Sequence, residues 1–154
     1  MPLLNYSTTV PVAKTSLEMV KLLGQAKAKT IQLENDHLGN PVGVAFEIHT
    51  AHGPRQFQLP IRPGAVGKAL WRAYGRGDLP GISAAKAGDP EHARRVAWRQ
   101  NLDWLRVQLA LIESEQVTLE QIFLPYMLVD GRTVYQMIET QQFKMLPASQ
   151  EVGA

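Results

Sequence analysis

Val42-Gly43-Val44-Ala45-Phe46-Glu47-Ile48-His49-Thr50-Ala51-His52-Gly53-Pro54-Arg55-Gln56-Phe57-Gln58-Leu59-Pro60-Ile61 is the stretch on which the fold turns. Val42, Val44, Phe46 and Ile48 alternate with small or polar residues, as one face of a half-buried strand does. Ala51-His52-Gly53-Pro54 supplies a turn, and Phe57, Leu59 and Ile61 alternate back as the hairpin partner. A hairpin with one apolar face needs something to cover that face. The sequence on either side provides it.

Upstream, Ile31 and Leu33 alternate with Gln32 and Glu34, which predicts a third strand joined to the hairpin through the turn at His37-Leu38-Gly39-Asn40-Pro41. Before it, Thr15-Ser16-Leu17-Glu18 has the form of a capping box, and Leu17, Val20, Leu23 and Ala26 follow at helical spacing. Leu3 to Val10, rich in β-formers and bounded by Pro2 and Pro11, reads as a short edge strand. Downstream of Pro63-Gly64 the period becomes helical. Val66, Leu70, Ala73 and Tyr74 form one face, and Lys68, Arg72 and Arg76 form another. Gly75 to Gly88 is rich in glycine and reads as a loop. Asp89-Pro90-Glu91 then places an N-cap, a first-turn proline and a first-turn acid at the start of a long helix. Trp98, Leu102, Leu105, Leu109 and Ile112 make a seam along it for another helix. Thr118-Leu119-Glu120-Gln121 is a second capping box, Asp130-Gly131 a turn, and Thr133 the cap of a last helix reaching about Phe143.

The expected fold class is α+β, an antiparallel sheet of three or four strands with helices on one face and a C-terminal helical hairpin. Residues 1–76 are expected to form the sheet core and 77–89 a loop. Residues 90–146 form a helical part packed on that core within a single domain, with 147–154 a disordered tail.

Charge is unevenly distributed. The formal total is +2, but residues 52–106 hold ten Lys and Arg against four Asp and Glu, while 107–154 hold two against six. A basic middle beside an acidic end suggests one surface that attracts polyanions and one that does not. With 45% hydrophobic and 19% charged residues the chain has the composition of a globular protein. It lacks cysteine, which excludes disulfides, zinc–thiolate sites and thiol nucleophiles. No apolar run approaches the roughly 20 residues of a membrane span. The opening has no basic and apolar leader pattern, so the expected location is the cytoplasm.

Catalytic patterns are missing: no phosphate-binding glycine loop, no Gly-x-Ser-x-Gly elbow and no His-Glu-x-x-His. His49 and His52 form a close pair at the hairpin tip, but spacing identifies neither His37 nor Glu47 as a third ligand, so no metal and no cofactor are expected. Asp36, Asp89 and Asp130 adjoin glycine or proline in turns or caps. The cations are more telling. Arg55 and Arg62 lie on or near the last strand. Lys68, Arg72 and Arg76 lie on one helix, Lys86 in the following loop, and Arg94, Arg95 and Arg99 in the first turns of the long helix. Such a set drawn from several elements suits a phosphate backbone. Trp71, off the apolar face of its helix, could stack on unpaired bases. Trp98 belongs to the seam and so to the core.

In topology, the order α-β-β-β-α from Thr15 to Tyr74 resembles the double-stranded-RNA-binding domain, and its sheet-plus-helix core is similar to that of Rad52-type annealing proteins. Where the first of these families has a lysine-rich start to its second helix, the segment from Arg62 to Lys68 supplies one lysine. Separately, the opening Met1-Pro2-Leu3-Leu4-Asn5-Tyr6, the run Ala93-Arg94-Arg95-Val96-Ala97-Trp98-Arg99 and Phe123-Leu124-Pro125-Tyr126 look like a group of small proteins from phages and mobile elements. That resemblance implies a context and no mechanism. The combined expectation is a non-enzymatic accessory protein that binds nucleic acid, DNA or RNA and preferably single-stranded, in recombination or replication. The alternative is a protein–protein interaction module acting on a host or defence complex through the acidic C-terminal helices and the apolar seam, with a homo-oligomer as a further possibility.

Overall fold

The computed structural model describes residues 2–149. It is an α+β protein built on a three-stranded antiparallel sheet in the order β1 (Thr30–Asn35), β2 (Pro41–Thr50), β3 (Gly53–Gln58). Phe46 lies opposite Phe57 across the hairpin and opposite Ile31 on the other side. The alternation along β2 therefore puts Val44, Phe46, Ile48 and Thr50 on the buried face. Three helices cover it: α1 (Val12–Gln25), the long α4 (Pro90–Glu113) and the short α5 (Leu119–Phe123). Phe46, Phe57 and Phe123 meet with ring centroids 5.4–5.8 Å apart, and Trp98, Leu102 and Leu105 of the α4 seam are sealed among them and Met19 and Leu23 of α1. The seam thus lies inside the molecule, against α1 and the sheet. The opposite face of the sheet carries Thr30, Gln32, Glu34, Gln56 and Gln58 and remains polar.

A second cluster sits apart from the sheet. α2 (Pro63–Gly75) packs along the first half of α4, where Leu70 and Ala73 meet Ala93 and Val96. Residues 63–75 therefore leave the sheet core in which the sequence placed them. An apolar helical face requires burial but does not say against what. The expected loop 77–89 closes this cluster: Leu79 is buried, and Ser83 caps the one-turn helix α3 (Ala84–Ala87), whose Ala87 is buried too. Leu3 and Tyr6 pack on the same cluster.

Three local expectations change. Leu3 to Val10 forms a turn in place of an edge strand. Asn5 has φ 63°, the Tyr6 and Thr8 amides donate to the Leu3 and Asn5 carbonyls, and Gln100 donates to the Leu4 carbonyl. α1 begins a turn earlier than the capping box implies, with Pro11 at its N-cap. Thr15 is buried and does not cap, and Leu17 is 63% exposed. Apolar residues on both sides of this helix made its inward face ambiguous; the sheet selects Val12, Met19 and Leu23. At the C-terminal end, α5 has five residues, so no long hairpin follows α4. A 3₁₀ turn, Leu124–Tyr126, leads through the two-residue strands β4 (Leu128–Val129) and β5 (Arg132–Thr133) to α6 (Val134–Thr140). The capping box at Thr118 and the cap at Thr133 form as expected, and Gln136 makes the second a capping box too. Residues 147–149 are exposed coil, and the remainder of the expected tail, 150–154, lies outside the described residues.

Candidate functional site

α2 packs on α4 through Leu70 and Ala73, and a cleft remains between the starts of the two helices. Gly67 faces Ala93, where an added β-carbon would lie 3.5 Å from the alanine methyl. From there a groove of about 810 Å³ opens between the first turns of α2 and the α3–α4 connection, with Val42 of β2 at its side. Its floor is apolar or lacks side chains altogether: Pro63, Gly64 and Gly67 on α2, then Ala87, Gly88 and Pro90. Both helices begin here with a proline, which each sequence marks as a helix start.

Trp71 forms the groove's aromatic wall. Its indole is 55% exposed, stacks on Tyr74 at 5.8 Å and 23°, and its six-membered ring passes 3.5 Å from where a β-carbon on Gly88 would lie. An exposed tryptophan held on one side by a second ring gives up little side-chain entropy when something stacks on it. Lys68, Arg72 and Arg94 rim the groove, and Asp89 is its one acid. Asp89 already accepts the Glu91 amide as the N-cap of α4, and Arg94 holds Glu91 at 3.0 Å. Lys68 and Arg72 are thus the rim cations without an ion-pair partner among the described residues.

Of the ten residues singled out from sequence, the fold gathers Lys68, Trp71, Arg72 and Arg94 at this groove and disperses the other six. Arg55 lies on β3 opposite Ile48, six residues along β2 from Val42, and donates to the His52 carbonyl. Arg62 stands at the N-cap position of α2, where its side chain makes no capping bond, and lines a smaller groove of about 220 Å³ together with Tyr126 and Tyr135. Arg76 pairs with Asp78 at 3.0 Å. Arg99 reaches Glu18 of α1 at 2.9 Å, which makes it a tie between helices. Lys86 belongs to α3 and Arg95 to α4, and the Arg95 Nε is buried without a hydrogen-bond partner. Electrostatic sign was legible in the sequence, but whether a cation already had a partner was not.

Sequence reasoning passed over the floor of the groove. Gly64, Gly67 and Trp71 stand at i, i+3 and i+7, one face of a helix, and that spacing is the signal that could have disclosed it. Among the described residues no group of three or more His, Cys, Asp or Glu is placed to hold a metal; His49 and His52 lie exposed at the hairpin tip. No described helix is long and apolar enough to cross a membrane. Asp36 is a turn residue, accepting the Leu38 and Asn40 amides at 2.9 Å, and the Asn40 amide foremost holds its carboxyl below the usual value.

No family model matches the chain, and no curated protein or solved structure is significantly similar to it.

Proposed function

We propose that the protein binds single-stranded nucleic acid in the groove between α2 and α4, as a non-enzymatic accessory factor of the kind that serves recombination or replication in phages and mobile elements. The observation that carries this reading is Trp71, half-exposed in an apolar groove whose rim holds Lys68, Arg72 and Arg94 against the single Asp89. Aromatic stacking with a cationic rim is the general means of holding unpaired strands without reading their sequence. The test is binding of labelled single- and double-stranded DNA and RNA over a salt series. Single strands are expected to bind, and Lys68→Ala/Arg72→Ala to weaken them all to a similar degree. Binding that ignores this pair, or none at low salt, would reject the reading.

A second reading is a protein-binding module. The α4 seam cannot serve it, being internal. It rests instead on exposed apolar side chains near the C-terminal end, Leu124, Tyr135, Phe143, Met145 and Leu146. Recovery of a stoichiometric protein partner whose binding depends on Phe143 and Leu146, with no affinity for oligonucleotides, would favour it.

A further inference from the structure

On the nucleic-acid reading, two modes of binding are open to the groove. The strand could run along the cationic rim by its phosphates alone, or its bases could enter. We infer that the groove is a base-insertion site, in which an unpaired nucleobase enters between α2 and the start of α4 and stacks on the free side of Trp71. Its flanking phosphates then meet Lys68, Arg72 and Arg94.

Three features of the groove support entry over surface tracking. First, its volume of about 810 Å³ lies within the range of sites that enclose small organic ligands, so it can hold a ring system. Second, the lining is apolar except at its rim, which suits the faces of a base in the interior and phosphates outside. A site meant only for a backbone has no need of a dry interior. Third, the interior is cleared by the absence of side chains. Gly64 sits in the first turn of α2 without positive φ, and an added β-carbon there would meet nothing within 4 Å. Helix propensity favours nearly any other residue at such a position. Glycine there leaves the mouth of the groove unobstructed. Tyr74, stacked on Trp71, occupies one face of the indole, so a bound base would be the third ring of a column. Base-paired strands cannot present a ring this way, so the inference also predicts discrimination against duplex.

The test separates base entry from charge attraction by altering neither the charge of the protein nor that of the strand. Gly64→Leu places an alkyl group at the groove mouth without adding or removing charge, and should fold with a Tm equal to or above that of the parent. Its affinity for a short oligodeoxyadenylate is expected to fall about tenfold or more, as is that of Trp71→Ala, while Trp71→Phe recovers part of the loss. An abasic strand of the same length, which keeps every phosphate, should bind the parent protein as weakly as oligodeoxyadenylate binds Gly64→Leu. Adenosine monophosphate should compete poorly, because it lacks the neighbouring phosphates. Competition by the mononucleotide as strong as by the strand would instead assign the groove to free nucleotides and overturn the inference. It is also overturned if a folded Gly64→Leu and the abasic strand both bind as tightly as their parents; the cationic rim would then act alone, and the single-strand reading would survive. If the parent protein binds no oligonucleotide, the nucleic-acid reading itself fails, and base insertion with it.

Discussion

At the scale of single residues, arginines that look alike in sequence do different work. Arg99 lies a little over one turn beyond Arg94, yet Arg94 opens onto the groove while Arg99 spans from α4 to Glu18 of α1, a carboxylate that Arg106 also approaches at 3.6 Å. Arg99→Ala should therefore lower stability by about 1 kcal/mol, as loss of a partly buried charged hydrogen bond does, and leave oligonucleotide affinity unchanged. Urea unfolding beside a binding titration would check both; a loss of binding without a loss of stability would return Arg99 to the interface. His92 is the other residue whose surroundings matter. It is fully buried, and its Nε2–H donates to the Tyr6 carbonyl at 2.6 Å, while Nδ1 has no partner. Burial above all, with Lys86 and Arg95 adding to it, holds its pKa below the ordinary 6.5, against the opposing pull of the Tyr6 bond and Asp89. Below about pH 6.5 the unfolded chain then takes up a proton that the folded chain resists. The contribution of His92 is complete above that pH and is lost as pH falls toward the folded value. The urea midpoint should drop between about pH 7.5 and pH 5.5, and drop less in His92→Gln, whose amide can still donate to Tyr6 and does not titrate. An equal drop in both proteins would discount the histidine.

At the scale of elements, α4 is the member shared by both clusters. Its Trp98, Leu102 and Leu105 serve the sheet, and its Ala93 and Val96 serve α2. Leu70→Ala in one cluster and Leu105→Ala in the other should each cost roughly 2–5 kcal/mol, the usual cost of emptying a buried leucine site. Because both clusters lean on one helix, each variant should still unfold in a single transition, seen alike by far-ultraviolet circular dichroism and by tryptophan fluorescence. If Leu70→Ala instead releases α2 in a separate early step, α2 is an independently melting arm. The groove would then exist only when that arm is docked. Much at this scale was legible. Strict alternation in β2 has one structural meaning, and Asp89-Pro90-Glu91 and the box at Thr118 state helix starts through local hydrogen bonds that form wherever the helix lies. α1 was less legible, since its apolar residues fit more than one face.

At the scale of the whole molecule, the charge asymmetry of the sequence is thinned by pairing. Arg76, Arg94, Arg99 and Arg106 all have carboxylate partners, so the basic middle is a smaller source of attraction than its composition suggests. The sequence offers nine cations as candidates for phosphate. The groove rim offers Lys68 and Arg72 without an ion-pair partner among the described residues, and Arg94 only if it leaves Glu91, so at roughly 0.7 per phosphate for a single strand the slope of log K against log salt should be about −1 to −2. A fluorescence titration across salt reads this directly. A slope near −5 would mean that the dispersed arginines, Arg55 and Arg62 among them, also touch the strand.

By itself the sequence determined the hairpin, the third strand, the starts of the late helices and the sign of the basic region. These depend on period, on local hydrogen bonding and on composition, all of which act over a few residues or need no geometry. The tertiary structure alone decided that α2 lies on α4, that Leu3 to Val10 turns instead of pairing, which arginines are bound to carboxylates, and that a groove opens beside Trp71. An apolar face fixes how much surface must be buried, but its partner is settled by the competition of every face in the chain at once. A groove is likewise the space left between two elements, and no residue in the sequence stands for it.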